Sequence, residues 1–276
     1  MDGFAGKVAA ISGAGSGIGR ALALELARSG ARLAISDFDA DGLAGTEELI
    51  RGIGAEVRAD RLDVTEREAF LGYADTVKAH FGTVNQIYNI AGIAFLGDIE
   101  LSGFKDIERV MDVDFWGVVN GTKAFLPHLI ASGDGHVVNM SSMFGLFGVP
   151  GQAAYNSAKF AVRGFTEALR QEMTAAGHPV AVTVVHPGYV KTSIARNAEG
   201  AEGLDKEAAV KVFEKVAITS AERAARMILK GVRQKKARVL VGPDARAFDL
   251  LVRVLPAGYQ RILGPMTVRF LSSARQ

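Results

Sequence analysis

A Gly-rich turn is indicated by the sequence Ser12-Gly13-Ala14-Gly15-Ser16-Gly17-Ile18-Gly19. It follows the apolar run Val8-Ala9-Ala10-Ile11 and precedes a segment with helical periodicity, as in a strand-turn-helix unit. Glycines in a strand-to-helix turn allow a tight turn, close approach of the backbone to phosphate and close packing of the helix on the strand. Backbone N–H groups at the start of the following helix attract an anion. The stretch therefore predicts a turn that holds the pyrophosphate of a dinucleotide, with the contact residues Gly13, Ser16, Gly17, Ile18 and Gly19.

An acidic residue after the second predicted strand indicates which dinucleotide the turn would hold. Residues 20–27 have helical periodicity, Gly30 ends the helix, and a strand at residues 32–36 leads into Asp37. A carboxylate about 20 residues beyond the turn accepts hydrogen bonds from the adenosine ribose and repels a 2′-phosphate. Phe38 follows this acid, and the turn itself carries neither Arg nor Lys before its last glycine. The sequence therefore favours NAD over NADP as the cofactor.

The composition excludes several classes of protein. Apolar residues make up 49% of the 276 residues and charged residues 22%, so the chain can bury a large core. It has no cysteine, and its five histidines lack metal-ligand spacing, so neither a disulfide nor a metal site is expected. The net charge of +2 argues against nucleic acid as a partner. No secretory signal pattern or membrane-length apolar stretch is present, so we expect a cytoplasmic protein.

Strand-like and helical segments alternate along the chain, which predicts the overall architecture. Strands are predicted at residues 8–11, 32–36, 56–61, 86–89, 136–140, 180–186 and 239–241, and helices at 17–29, 41–53, 66–81, 104–132, 153–176 and 221–234. Such alternation predicts an α/β fold, a doubly wound (Rossmann) parallel sheet of about seven strands with helices on both faces. We predict one dinucleotide-binding catalytic domain at residues 1–243, in which residues 192–215 form a mobile loop over the substrate.

Two further segments carry side chains suited to proton transfer. Tyr155 and Lys159 lie one turn apart at the start of a predicted helix. The pKa of a free phenol is about 10, and a neighbouring ammonium, helped by the positive charge of an oxidised nicotinamide, would favour the phenolate, so Tyr155 becomes a candidate general base. Ser142 follows a strand at the carboxyl edge of the sheet, where its hydroxyl could stabilise charge on a carbonyl oxygen. Ser141 is the adjacent alternative.

With these segments in order, the chain from residue 7 to about residue 243 resembles the short-chain dehydrogenase/reductase superfamily. The motifs that carry the resemblance are Ser12 to Gly19, Asp63-Val64, Asn89-Ile90-Ala91-Gly92, Ser142, Tyr155 with Lys159, and His186-Pro187-Gly188-Tyr189-Val190-Lys191-Thr192. The resemblance implies an oxidoreductase that moves a hydride between NAD and a secondary alcohol or ketone. It also implies a homodimer or homotetramer built through the helices at 104–132 and 153–176.

The resemblance assigns roles to individual residues. It implies that Tyr155 is the acid/base, that Ser142 orients the substrate oxygen, and that Lys159 holds the nicotinamide ribose and tunes Tyr155. Asp63 and Val64 would contact adenine, Asn89 would support the central turn, and Val190 and Thr192 would contact the carboxamide. The complete predicted cofactor set beyond the Gly-rich turn is Asp37, Phe38, Asp63, Val64, Asn89, Ala91, Gly92, Tyr155, Lys159, Pro187, Gly188, Val190 and Thr192.

One residue departs from the family pattern. Asp114 lies where the family usually has an Asn that supports a water relay to the lysine. An Asp is close to Asn in size and still accepts a hydrogen bond, and we count it among the catalytic residues. Two interpretations remain open. In one, the charge of Asp114 pairs with Lys159 and weakens the positive field at Tyr155; in the other, the change is neutral because the backbone carbonyl does the same job.

The residues predicted around the substrate are mostly apolar. They are Ala94, Phe95, Met143, Phe144, Phe147 and Tyr189, which favours a lipid-like, steroid-like or hydroaromatic substrate. Two alternative functions remain, namely an NADP-preferring carbonyl reductase and a weakly catalytic NAD-binding sensor or scaffold. Residues 244–276 form a basic, apolar extension that Pro256 and Pro265 divide into short helices. We expect it to pack on a partner subunit or over the substrate cleft, in preference to peripheral contact with an anionic membrane.

Overall fold

The computed structural model describes residues 3–200 and 206–264, and within them seven parallel strands form one central sheet. These strands are β1 (Val8–Ser12), β2 (Arg32–Asp37), β3 (Val57–Arg61), β4 (Gln86–Asn89), β6 (Gly135–Met140), β7 (Val180–Pro187) and β11 (Arg238–Val241). Their spatial order is β11-β7-β6-β4-β1-β2-β3. The chain winds outward from β1 to β3 and then returns to β4 on the other side of β1. This confirms the predicted doubly wound sheet, and its switch point lies between β1 and β4.

Helices cover both faces of this sheet. In chain order they are α1 (Gly17–Arg28), α2 (Ala40–Ile53), α3 (Arg67–Phe81), α4 (Phe104–Met111), α5 (Gly117–Ala131), α6 (Ala153–Ala175), α7 (Lys206–Val216), α8 (Ala221–Arg233) and α9 (Pro243–Val254). Because side chains alternate along a strand, Ile11 of β1 packs with Leu22 of α1 on one face, and Ala10 packs with Phe125 of α5 on the other. Both faces of the central strands are therefore buried.

The predicted helix at residues 104–132 is interrupted in the structure. A π-helical turn, Asp112–Trp116, separates α4 from α5, and the Gly117 N–H donates to the Asp112 carbonyl five residues back. This wider turn shifts the helical phase, and Asp114 is fully buried within it. Apolar periodicity cannot reveal such a turn, because one continuous helix and two helices joined by a π turn give nearly the same pattern.

The segments after residue 190 contain more regular structure than the sequence predicted. Short strands pair as two ribbons, β5 (Phe95–Leu96) with β9 (Glu199–Gly200), and β8 (Val190–Lys191) with β10 (Thr219–Ser220). Helix α7 takes up much of the predicted mobile loop at 192–215, while residues 201–205 of that loop lie outside the described residues.

The predicted extension is described only in part. Helix α9 begins at Pro243 and ends before Pro256, and residues 259–264 are helical again. Pro265 and the rest of the extension, residues 265–276, lie outside the described residues. Over the ranges that are described, no helix combines the length and the apolar character needed to cross a bilayer.

Candidate active site

A cleft of about 980 Å³ runs along the carboxyl ends of the strands, from the Gly-rich turn to α9. Most of the predicted site residues line it: Gly13, Ser16, Gly17, Ile18, Gly19, Asp37, Phe38, Asp63, Val64, Ala91, Gly92, Ala94, Ser142, Met143, Phe144, Phe147, Tyr155, Lys159, Pro187, Gly188, Tyr189, Val190 and Thr192. Ligands of open α/β sheets bind at this edge, next to the switch point. The structure thus brings the dinucleotide turn and the proposed proton-transfer groups to one cleft.

The Gly-rich turn has the close contacts that require glycine. Gly13 has a φ of 72°, and a Cβ on it would lie 2.6 Å from the Ala91 Cα. A Cβ on Gly19 would overlap the Gly13 carbonyl oxygen. Helix α1 begins at Gly17 without a side-chain cap, so its first N–H groups remain available to an anion. These features fit the pyrophosphate of a dinucleotide.

The Asp37 carboxylate is held in place at the tip of β2. One of its oxygens accepts from the Gly15 N–H at 2.7 Å, and the other accepts from the Asp39 N–H at 2.9 Å. The carboxylate is half-buried at the cleft wall and retains lone pairs for further hydrogen bonds. This placement fits an acceptor for the two hydroxyl groups of an adenosine ribose.

A basic residue beside this acid was missed by the sequence analysis. The Arg61 guanidinium lies 4.6 Å from the centroid of the exposed Phe38 ring, and its Nε donates to the Phe38 carbonyl at 3.2 Å. Arg61 is 24 residues from Asp37 in sequence, but β3 places it directly beside Asp37 in the sheet register. Only knowledge of the strand pairing could have identified this neighbour.

The two serines after β6 face different surroundings. The Ser142 hydroxyl accepts from the Phe144 N–H at 3.1 Å and is near enough to Tyr155 to lower the pKa of the phenol, while the Ser142 carbonyl is 2.8 Å from His186 Nδ1. The Ser141 hydroxyl instead donates to the Lys159 carbonyl at 2.8 Å and is buried. Ser142 is therefore the serine whose hydroxyl reaches Tyr155, and Ser141 fixes the loop to α6.

A buried ion pair lies behind Tyr155. Lys159 Nζ is 5.4 Å from the centroid of the Tyr155 ring and 3.0 Å from Asp114 Oδ2, and it donates to the Met140 carbonyl at 3.3 Å. The other Asp114 oxygen accepts from the Ile93 N–H at 2.7 Å. The side chains of Lys159 and Asp114 are 3% and 0% exposed. The Asp114 side chain thus forms an ion pair with Lys159, as in the first of the two interpretations, in which the charge of Asp114 pairs with that lysine.

The groups of this cluster shift the pKa of Tyr155 in opposite directions. Burial raises the pKa of the Tyr155 phenol, Lys159 lowers it, Asp114 raises it, and the hydrogen bond with Ser142 lowers it. The pKa of Tyr155 therefore lies above its ordinary value, although the ammonium alone would favour the phenolate. Burial lowers the pKa of Lys159, whereas its neighbours raise it, and the negative charge of Asp114 is the largest of these raising effects. The pKa of Lys159 therefore lies above its ordinary value. Lys159 is accordingly a cation at neutral pH.

Three predicted residues do not reach the cleft surface. Asn89 turns toward α5, where it donates to Thr122 at 3.1 Å and to Asn139 at 2.8 Å within the core. Phe95 lies in a buried cluster with Val110 and Ala158 instead of facing the substrate. Asp114 acts only through Lys159 and the Ile93 backbone, because it is buried behind them. Asn89 and Asp114 are thus supporting residues in the structure.

The cleft also has walls that the sequence analysis did not identify. Helix α7 contributes Val210, Phe213 and Val216, and the extension contributes Phe248 and Leu263. The Phe213 ring lies 5.6 Å from the Tyr189 ring, and the Phe248 ring lies 5.1 Å from the Phe147 ring. The spacing of the α7 residues, each three after the last, is a helical signal that could have placed them on one face.

Comparison with known proteins relates this geometry to other chains. A family model described as short chain dehydrogenase matches residues 7–203. The putative oxidoreductase SadH of Mycobacterium tuberculosis is 60% identical over 276 residues, which is 100% of both chains. Estradiol 17-beta-dehydrogenase 11 of Macaca fascicularis is 31% identical over 261 residues, covering 94% of this chain and 82% of that protein. A short chain dehydrogenase/reductase from Burkholderia phymatum, solved in complex with NAD, has a TM-score of 0.85 and 30% identity over 92% of this chain and 95% of its own.

Proposed function

Because the chain belongs to the short-chain dehydrogenase family, we propose that it is an NAD-dependent oxidoreductase that interconverts a lipophilic secondary alcohol and its ketone. The observation that carries this proposal is the grouping of Ser142, Tyr155 and Lys159 at the apolar end of a dinucleotide cleft, with Lys159 Nζ 5.4 Å from the centroid of the Tyr155 ring. The resemblance drawn from the sequence is confirmed at the level of the family.

The residues of the cleft fit NAD. The N–H groups at the start of α1 would hold the pyrophosphate, and Asp37 would accept from the adenosine ribose. Lys159 would donate to the nicotinamide ribose. When bound, the nicotinamide supplies the acceptor or donor of the hydride.

Tyr155 and Ser142 perform the proton chemistry at the substrate oxygen. The Ser142 hydroxyl donates a hydrogen bond to that oxygen and stabilises charge that develops on it. In the reduction direction the Tyr155 phenol donates its proton to the oxygen, and in the oxidation direction the phenolate takes the proton back. Since burial and Asp114 keep the pKa of Tyr155 high, the phenol is protonated at neutral pH, which suits ketone reduction.

Cofactor choice depends on Asp37 and Arg61, and the alternative of an NADP-preferring reductase draws support from Arg61. We expect the unaltered enzyme to have a higher kcat/KM with NAD than with NADP, because the Asp37 carboxylate would repel the 2′-phosphate of NADP. Asp37→Ala should raise kcat/KM with NADP, and adding Arg61→Gln should remove that gain while leaving turnover with NAD nearly unchanged. A higher kcat/KM with NADP in the unaltered enzyme would reject the NAD assignment.

Substrate class is supported by the cleft walls. Met143, Phe144, Phe147, Tyr189 and Phe213 enclose an apolar volume around Tyr155. The similarity to estradiol 17-beta-dehydrogenase 11 supports a steroid-like alcohol within this class. We therefore propose steroid-like and long-chain secondary alcohols as substrates.

The test is NAD-linked turnover across steroid alcohols, aliphatic secondary alcohols and polyols, with Tyr155→Phe as the inactive control. Preference for polyols would reject the lipophilic class. The alternative of a weakly catalytic NAD-binding protein rests on the Asp114–Lys159 ion pair. Turnover that appears only in Asp114→Asn would favour that alternative.

We also propose that two copies associate through α4, α5 and α6. Phe104, Trp116 and Phe160 on this side are exposed aromatic residues, and such clusters are typical of protein interfaces. Light scattering on the purified protein tests this proposal, and Phe160→Asp combined with Trp116→Asp should yield monomers. A monomeric unaltered protein would reject it.

A further inference from the structure

The extension that begins with α9 has an inner face that belongs to the cleft. Phe248 and Leu263 line the cleft, and Tyr259 packs against Phe147 with the ring centroids 6.1 Å apart. The Tyr259 hydroxyl accepts from the Gly148 N–H at 3.1 Å. This face fixes the extension against the loop that follows Ser142. The predicted packing over the substrate cleft is therefore present in the described part of the extension.

The outer face of the same extension exposes large apolar side chains. Leu250 is 63% exposed, Val254 is 67% exposed and Ile262 is 46% exposed. Arg246, Leu250 and Val254 follow one another at intervals of four residues, so they form one stripe along α9. A helix with an apolar stripe flanked by arginines has the composition of segments that lie in a membrane interface.

The charges of the extension are segregated by sign. Its two acids face inward, because Asp244 accepts from the Tyr189 N–H at 2.6 Å and Asp249 pairs with Arg238 at 3.4 Å and Arg253 at 2.8 Å. The charged side chains that are exposed are those of Arg246, Arg253 and Arg261. The sequence beyond residue 264 adds Arg269 and Arg275 and no acid. Among the described residues 244–264, every exposed charged side chain is therefore an arginine.

We propose that this outer face, defined by Arg246, Leu250, Val254, Arg261 and Ile262, docks on the surface of a bilayer that contains anionic lipid. The arginines would meet lipid phosphates, and the apolar side chains would enter the interfacial region. A second copy of the chain is a poorer occupant, because a two-fold contact would place arginines of like charge against each other. Docking would set the extension between the lipid and the cleft that its inner face lines.

Sedimentation of the full chain with vesicles tests this proposal without any need for turnover. We expect the chain to bind vesicles of phosphatidylcholine with phosphatidylglycerol, to bind pure phosphatidylcholine weakly, and to dissociate as salt is raised. Arg246→Gln with Arg261→Gln should weaken binding by about fivefold for each charge removed. Leu250→Ser with Val254→Ser should also weaken it, because both side chains are exposed and their loss leaves the core intact.

Matched variants on α2 and α3 distinguish docking from general adhesion. Leu49→Ser and Arg67→Gln change an exposed leucine and an exposed arginine away from the extension, and both should bind anionic vesicles like the unaltered chain. The proposal is overturned if the unaltered chain does not bind anionic vesicles, or if the control variants lose binding equally. It is also overturned if Leu250→Ser with Val254→Ser changes the oligomeric state in lipid-free buffer, since the face would then hold a second copy.

Discussion

Asp114 raises the pKa of Tyr155 from behind Lys159. Burial is the largest cause of the raised pKa, Lys159 lowers it, and the Asp114 carboxylate opposes Lys159 in part. Asp114→Asn removes the negative charge but keeps an oxygen that can accept from the Ile93 N–H. We therefore expect the acidic limb of kcat/KM for alcohol oxidation to move to lower pH. A pH profile measures this, and each pH unit of movement corresponds to a tenfold change in rate below the limb.

The control for this prediction is Asp112→Asn. Asp112 lies two residues from Asp114 but is exposed, so water screens its charge and the limb should stay in place. An unchanged profile in Asp114→Asn would show that the carboxylate does not act on Tyr155. Movement of the limb to higher pH would show that Lys159 loses its proton once its partner is removed.

The two serines should separate into a catalytic residue and a structural one. Ser142→Ala removes the donor to the substrate oxygen, so kcat should fall by about 100-fold or more. It also removes the acceptor of the Phe144 N–H, which should reduce the free energy of unfolding by about 1 kcal/mol. Ser141→Ala removes the hydrogen bond to the Lys159 carbonyl, which should reduce the free energy of unfolding by about 1 kcal/mol and leave kcat within a fewfold. Steady-state kinetics and denaturant unfolding on both variants check this. Equal kinetic losses in the two would contradict the division of roles.

The sequence could predict those residues whose roles follow from local spacing. Tyr155 and Lys159 are one helical turn apart, and Ser142 closely follows strand β6, so their meeting at one edge follows from the fold. The position of Arg61 beside Asp37, and the orientation of the Asn89 side chain toward the core, could not be predicted in the same way. Their neighbours come from strand register and from the packing of α5, which no local pattern encodes.

At the scale of the elements, the π-helical turn between α4 and α5 explains how a charged side chain reaches the core. The wider turn shifts the helical phase, and Asp114, which is buried within it, pairs with Lys159 of α6. The sequence predicted helix on both sides of the turn correctly, but the phase shift depends on tertiary contacts.

The close approach of α5 to β4 depends on Gly121. A Cβ there would overlap Asn89 Oδ1 and lie 2.7 Å from Phe70 Cζ, both in the core. We expect Gly121→Ala to reduce the free energy of unfolding by about 1–3 kcal/mol. Gly72→Ala on α3 is the matched control, because a Cβ there meets no atom within 4 Å and should stabilise its helix by up to about 1 kcal/mol. Urea unfolding measures both, and a neutral Gly121→Ala would show that α5 can move away from β4.

At the scale of the whole molecule, the sheet and its two helical layers were predictable, whereas the individual side chains that cover the cleft were not. The alternation of apolar strands and amphipathic helices is repeated through the chain, so errors at single boundaries leave the architecture unchanged. Helix α7 and the extension cover the cleft through side chains such as Phe213 and Phe248. Their placement depends on contacts with Tyr189 and Phe147, which are distant in sequence.

Two buried histidines should make the stability of the whole chain depend on pH. Burial is the first cause that lowers the pKa of His136 to about 3 and the pKa of His186 to about 4. His136 Nε2 is 2.8 Å from the Thr183 hydroxyl, which itself donates to the Lys236 carbonyl, so the neutral ring donates through Nε2. In the unfolded chain both pKa values return to about 6.5. As the pH falls from 6.5 toward 4, the unfolded state binds protons that the folded state does not, and the free energy of unfolding decreases.

Each histidine should contribute about 1.4 kcal/mol per pH unit to this loss, which urea unfolding at pH 7, 6 and 5 would measure. His136→Gln keeps a donor for Thr183 and removes the titrating ring, so its stability should fall less steeply than that of the unaltered protein. His178→Asn changes an exposed histidine and should leave the slope as it is. If His136→Gln and His178→Asn give the same slope, water reaches the first ring in the folded state, and the core beneath β6 opens more readily than its packing indicates.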